Sequence, residues 1–201
     1  PATSLPAIVT TVATKLLGAT SSTAVARCTE ALAELVRCLD VDVSFLRHND
    51  HSRRATVLVA EWPPRPNVPD PDPLHTIYFA DADPVFALAE NAKEAVILRP
   101  ESQDQKYQRT ISRASGIPSV SLACIPLLSG DVTTGTIGFV KYGDRSWGDE
   151  EINALTVVAT MLAQVQARIS IEDQLSYQAS HDDLTALPNR RALVNHLDQR
   201  L

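Results

Sequence analysis

Between Asp149 and Gln178 the chain contains neither glycine nor proline, the two residues that most readily stop a helix. At 1.5 Å per residue, a continuous helix over that run is about 45 Å long, more than the width of a compact domain of this size. Such a helix must leave the core in which it starts. Asp149, Glu150 and Glu151 set three carboxylates in its first turn, where unpaired N–H groups favour negative charge. Apolar residues then recur as Ile152, Leu155, Val158, Ala159, Leu162, Val165 and Ile169. Leu155, Leu162 and Ile169 lie seven apart, with Val158 and Val165 three residues on, which makes two heptads of an a/d seam. Beyond Ile169 the register slips: Glu172 and Ser176 fall on the old seam, and Ile171 and Leu175 fall off it. A helix covering a sheet explains residues 149–165 as well as a seam does. From Ile169 onward the pattern favours a linker that packs against a second copy of itself.

The remainder alternates between helical and strand periods. Leu5, Ile8, Val9, Val12 and Leu16 form one amphipathic stripe. Ser21-Ser22-Thr23 offers capping oxygens to a second helix carrying Val25, Cys28, Leu32, Leu35, Val36 and Leu39. Val41, Val43 and Phe45 then alternate with Asp42 and Ser44. A polar turn from Arg47 to Arg54 leads to Thr56–Ala60, a hairpin. Between Pro63 and Pro73 six of eleven residues are proline, which predicts a stiff, polyproline-like surface loop. A short strand His75–Phe79 follows, then Asp83-Pro84 as N-cap and N1 of a helix bearing Val85, Phe86 and Leu88. Val96-Ile97-Leu98 reads as a short buried strand, and Asp104 as the cap of a helix through Tyr107, Ile111 and Ala114. Two apolar strands, Val120–Leu128 and Thr136–Tyr142, flank the turn Ser129-Gly130-Asp131. This order predicts an α+β fold, an antiparallel sheet with helices on both faces and a long C-terminal helix.

Composition removes several function classes. With 201 residues, 44% of them hydrophobic, the chain can bury one sizeable core. The net charge is −6 and no block of Lys or Arg exceeds two residues, which argues against a nucleic-acid surface. No apolar run approaches eighteen residues and no signal peptide precedes the fold, so no membrane association and a cytoplasmic location are expected. Cys28 and Cys38 lie ten residues apart on one helix, about 15 Å along its axis and too far for a disulfide. Cys124 sits in an apolar strand, so three free thiols are expected.

Two motifs carry family resemblances. The run His181-Asp182-Asp183-Leu184-Thr185-Ala186-Leu187-Pro188-Asn189-Arg190-Arg191 resembles the D-x-L-T-G-L-x-N-R-R opening of GGDEF domains, the diguanylate cyclases that make cyclic di-GMP from two GTP. Ala186 stands where that family has Gly. Ser121-Leu122-Ala123-Cys124-Ile125-Pro126-Leu127, then Ile137-Gly138-Phe139-Val140, then Trp147 with Glu150-Glu151, resembles the C-terminal half of a GAF domain. The two resemblances imply a GAF domain with an N-terminal helix over residues 1–170, a linker helix through 178, and the truncated start of a GGDEF domain over 179–201. The chain starts without Met and ends inside the motif, so an excised fragment of a longer protein is expected, lacking the cyclase's catalytic residues. GTP and Mg²⁺ are expected only for the missing catalytic domain, and no cofactor in this fragment.

The GAF resemblance implies a regulatory sensor that dimerises through its terminal helices and controls cyclic di-GMP synthesis. The implied ligand is an unidentified small molecule, with Tyr78, Phe79, Phe86, Arg99, Tyr107 and Cys124 as candidate lining residues. Lys141 follows Val140 rather than Asn, which breaks the family's cyclic-nucleotide signature. A bilin-binding Cys-His pair is absent; heme would need one axial His, and His75, the one histidine near the pocket-forming segments, reads as structural, as a lone His more often is. The alternatives are a free methionine sulfoxide reductase using Cys124, which requires a resolving thiol, and a ligand-free dimerisation spacer.

Overall fold

The computed structural model describes residues 4–100 and 119–180. The Arg47–Arg54 stretch is where strand pairing departs most from the sequence expectation. β1 (Val43–Asp50) and β2 (Ala55–Trp62) form a longer hairpin whose turn is only residues 51–54. Arg47 and Asn49 are buried strand residues, 4% and 3% exposed. β5 (Val120–Ser129) and β6 (Val132–Tyr142) form a second hairpin. Gly130, at φ 56°, supplies the left-handed conformation that its two-residue turn requires. β1 and β6 pair antiparallel and join the hairpins. Short edge strands β3 (Thr76–Tyr78) and β4 (Val96–Leu98) complete one sheet in the order β3-β2-β1-β6-β5-β4. β4 was expected to be buried, but as an edge strand it is half-buried, with Ile97 36% exposed.

Helices α1 (Leu5–Leu16), α2 (Ala24–Leu39) and the C-terminal helix (Asp149–Ser180) pack together on one face of this sheet. The short helix α3 (Pro84–Leu88) lies against the other face and makes the C-terminal helix α4. Ile8, Val12 and Leu16 meet Leu32 and Leu35 of α2 and Leu155, Val158 and Leu162 of α4 in a single core. Leu46, Ala123, Ile125, Leu127, Ile137 and Phe139 form its floor. Each large side chain buried in this way contributes about 1.5–3 kcal/mol. The first half of the expected dimer seam is therefore used within the chain: Leu155, Val158 and Leu162 are 2%, 0% and 1% exposed. The α1 stripe is likewise covered by α2 and α4.

Two smaller expectations fail at α2. Val25 is 55% exposed rather than on the packed face. Thr23 occupies the N-cap position without a side-chain capping bond, because its hydroxyl pairs with Thr20 instead. α4 spans 32 residues, about 48 Å. Its core-facing side chains are buried from Leu155 to Ala163 and half-covered at Val165 and Ile169, and the helix is exposed all round from Ser170 to Gln178. Among the described residues it is the one helix long and apolar enough to cross a membrane by length and composition, yet the apolar side of its first half is the core itself.

Candidate functional site

The sheet face turned away from α1, α2 and α4 is organised in cross-strand rows. Glu61, Phe45, Gly138, Cys124 and Val96 lie opposite one another across five strands. The next row is Arg47, Thr136 and Pro126. Directly opposed residues point to the same face, so Phe45, Cys124, Arg47 and Thr136 share one surface. Above it sits α3, started by Pro84 and by Asp83, whose Oδ1 accepts the Phe86 N–H at 3.1 Å. The helix lays Phe86 on Phe45, with ring centroids 6.2 Å apart and planes 22° apart. Phe45 in turn lies flat across Gly138: a Cβ at that glycine would come within 2.1 Å of Phe45 Cζ.

Arg47 stands beside this aromatic pair, its guanidinium 5.7 Å from the Phe86 ring centroid. No carboxylate among the described residues bonds it directly. Nη1 donates to Leu74 O at 2.9 Å, Nη2 to Thr56 O at 3.0 Å and to His75 O at 3.1 Å, and Nε to Thr56 Oγ1 at 3.4 Å. Burial pulls its pKa down to about 10, opposed by the charges of Asp72 and Glu61, so it stays a cation at neutral pH. Those two carboxylates bond Arg65 instead, at 2.8 Å from Glu61 and 2.6 Å from Asp72. This cluster pins the proline-rich loop over one side of the face. Asn49 donates through Nδ2 to Ala89 O at 3.0 Å and Thr133 O at 3.2 Å. Its Oδ1, and Thr136 Oγ1, are buried without a partner among the described residues. Buried polar atoms are rarely left so.

The expected lining residues separate into two groups. Phe86 and Cys124 come together around Phe45 and Gly138, with Asp83 close enough for its charge to act on Cys124. Burial, assisted by Asp83, pushes the Cys124 thiol up to about 12. Phe79 is buried behind the first hairpin, its N–H bonded to Arg54 O at 3.0 Å. Tyr78 is 44% exposed at the β3 edge and its hydroxyl accepts from Arg53 at 3.0 Å. Arg99 lies at the opposite edge, paired with Asp144. Tyr107 lies outside the described residues. Sequence reading missed Phe45, Arg47 and Asn49. Continuing the period-two count from Val43 through Phe45, Arg47 and Asn49 would have put all four on one face. His48 lies within β1 and His51 just beyond it, His51 Nε2 lying 2.8 Å from Thr133 O. Among the described residues no group of three His, Cys, Asp or Glu side chains could hold a metal ion.

Residues 23–165 match the family model described as GAF domain. The chain belongs to the GAF family. The GAF domain of an Acinetobacter phosphoenolpyruvate-protein phosphotransferase superposes with a TM-score of 0.65 at 13% identity, over 85% of this chain and 97% of that one. The phycocyanobilin-bound GAF domain of a cyanobacterial phytochrome gives 0.64 at 15% identity, over 86% and 98%. The free methionine-R-sulfoxide reductase of Neisseria meningitidis, in complex with its substrate, gives 0.63 at 14% identity, over 84% and 91%. These likenesses establish the fold. Uncharacterized proteins of Mycobacterium tuberculosis and Mycobacterium bovis are 59% identical over 197 residues, 98% of this chain. The chain spans only 32% of their length. The GAF match ends at Val165, and the GGDEF-like run 181–191 lies outside the described residues.

Proposed function

We propose that this GAF domain is the cytoplasmic sensor of a diguanylate cyclase, holding a small molecule on the Phe45–Phe86–Arg47 face and acting on a downstream GGDEF domain through α4. One observation carries the reading: α4 leaves its own core after Ile169 and stays exposed to Gln178, and the GGDEF-like run 181–191 follows it in sequence. The orphaned Thr136 Oγ1 and Asn49 Oδ1 beside an aromatic wall and a buried cation suit a ligand that is part ring, part polar. Ile171 and Leu175, 56% and 59% exposed, lie one turn apart and suit pairing with a second copy beyond the core. The dimer contact therefore moves from the Leu155–Leu162 seam to this distal half of the helix.

The reductase alternative has less support. Cys28 is packed into the helical core, Cys38 packs against that core, and Cys124 lies on the other face of the sheet. No second thiol of this chain is placed to resolve a sulfenic acid on Cys124. Its raised pKa also opposes the thiolate that such chemistry needs.

The test uses the longer protein, with the sequence that follows residue 201 in place. Purified with GTP and Mg²⁺, it should form cyclic di-GMP. Insertion of two residues after Leu175 turns the downstream domain by about 200°, whereas seven residues return it to within about 20°. The first should disrupt output and the second preserve it. No product from the longer protein, or equal output from both insertions, would refute the proposal. Mass spectrometry of small molecules retained through purification identifies the ligand.

A further inference from the structure

The five-residue corner between β6 and α4, Gly143 to Trp147, takes part in two sets of contacts that face in different directions. On one side it receives the chain as it leaves β4 and as it enters β5. Arg99, one residue beyond β4, grips Asp144 with both ends of its guanidinium, Nε to Oδ1 at 2.9 Å and Nη2 to Oδ2 at 2.5 Å. Just ahead of β5, Ser119 O accepts the Gly143 N–H at 2.9 Å. Ser121, fully buried, donates through Oγ to Gly143 O at 2.9 Å and accepts the Arg145 N–H at 2.8 Å. A hydroxyl acting as donor and acceptor at once has its hydrogen fixed in direction. The backbone of the corner is thus tied to the start of β5 by three bonds.

On the other side the corner holds the first turn of α4. Arg145 forks onto Glu151, Nη2 to Oε1 at 2.7 Å and Nη1 to Oε2 at 3.1 Å, and also donates to Leu39 O at the end of α2 at 2.8 Å. Its guanidinium lies 3.9 Å over the Trp147 ring. Trp147 packs on Phe139 in the sheet core, with centroids 6.2 Å apart. The Arg145–Glu151 pair is mostly covered, at 18% and 17% side-chain exposure, and a bidentate pair so placed resists water better than a surface pair does. Arg145 therefore joins the two sets: its N–H belongs to the β5 side and its guanidinium to the α4 side.

We infer that residues 143–147 form a coupling corner, so that a displacement at the end of β4 or the start of β5 is transmitted through Asp144 and Arg145 to the first turn of α4. β4 and β5 both border the Cys124 side of the candidate ligand face through the Val96–Cys124 pairing. The regulatory meaning of the corner rests on the sensor reading above. The mechanical coupling does not, and it is measurable without ligand.

Amide hydrogen exchange on the 201-residue chain tests it. The Ile152 N–H bonds Gly148 O at 3.0 Å, so amides 152–156 report on the first turn of α4. Arg99→Ala and, as the milder change, Asp144→Asn remove a pair on the far side of the corner from that turn. Each should speed exchange at 152–156 by about two- to five-fold relative to Ile137 and Phe139, the range expected for a partly exposed pair. Arg54→Ala, which removes the similarly forked Arg54–Glu90 pair at the other edge of the sheet, should leave those amides unchanged. Arg99→Ala combined with Arg145→Ala should accelerate exchange by less than the product of the single effects. Acceleration confined to residues 96–99 and 143–145, an equal effect of Arg54→Ala, or fully independent effects would overturn the inference. Failure here with cyclic di-GMP output intact would remove the corner and leave the sensor reading standing.

Discussion

Gly138→Ala is the smallest change that should disturb the candidate ligand face. A Cβ on residue 138 would lie 2.1 Å from Phe45 Cζ and 2.5 Å from both Cε atoms, against about 3.5–4.0 Å for an ordinary carbon–carbon contact. The Phe45 ring must retreat by about 1.4 Å or more. The ring's neighbours must adjust to that retreat, Phe86 being stacked with it at 6.2 Å and Arg47 standing beside Phe86. The misfit therefore passes to α3. Overpacking of this kind costs about 1–3 kcal/mol, which for a chain of this length lowers the melting temperature by about 2–12 °C. Differential scanning fluorimetry on wild type, Gly138→Ala, Phe45→Leu and the double variant closes a thermodynamic cycle. Phe45→Leu alone should destabilise by leaving a gap, yet in the Gly138→Ala background it should restore stability, with a coupling of about 1 kcal/mol or more. A Gly138→Ala protein melting within about 1 °C of wild type, or strictly additive effects in the cycle, would refute the account of this face.

Leu162→Ala, at an α4 site 1% exposed in the core shared with α1, α2 and the sheet, should cost about 3–5 kcal/mol by urea denaturation. A loss below about 1 kcal/mol would mean that the three-helix layer is not one core. Burial holds Cys28 at about 11 and Cys124 at about 12, so at pH 8 their thiolate fractions are on the order of one part in a thousand and one in ten thousand. Neither should react with Ellman's reagent until urea unfolds the protein, and fast labelling of native Cys124 would revive the reductase reading. Arg65, Arg54 and Arg99 respectively hold Asp72, Glu90 and Asp144 below the usual carboxylate range by hydrogen bonds to their side chains. A lowered folded-state pKa lends stability that is complete above the unfolded value, about 4, and is lost as pH falls through the folded one. The melting temperature should therefore hold from pH 7 to about 5 and fall below about 4, and an unchanged value at pH 3 would contradict these pairings.

Much of the fold could be read from residues whose reason for being there is local. The absence of Gly and Pro from 149 to 178 dictates α4, and the apolar runs around Gly130 dictate β5 and β6. Asp83-Pro84 gives α3 its start and the cap forms as read. The site was harder to read because its central residue satisfies itself at long range. Arg47 bonds carbonyls 27 and 28 residues away, and nothing near it in sequence announces that acceptors will arrive. A charged residue without a local partner reads as a turn. Strand β1 also misleads by being covered on both faces: Ser44, fully buried, faces the helices, while the larger Phe45 faces α3 and remains half-buried. Alternation then reports two environments, neither of them solvent. Leu155, Val158 and Leu162 are buried within the chain for a related reason, since a heptad spacing looks the same whether its partner is a second chain or the helices of its own.

Val158 and Leu162, buried side chains one turn apart in the middle of α4, divide the helix unequally. Val158 is nine positions beyond Asp149, and Leu162 is eighteen positions before Ser180. With a uniform rise per residue, a rod seated there has a far arm about twice as long as its near arm. Were such a rod to tilt about that seat, it would act as a lever with its fulcrum inside the protein. A sideways shift of half an ångström imposed on the first turn becomes about one ångström at the far end, in the opposite direction, with no change in the helix itself. The same geometry runs backwards, so whatever docks on the far arm has mechanical advantage over the near one. Occupancy of that arm would then set how easily the sheet end can move.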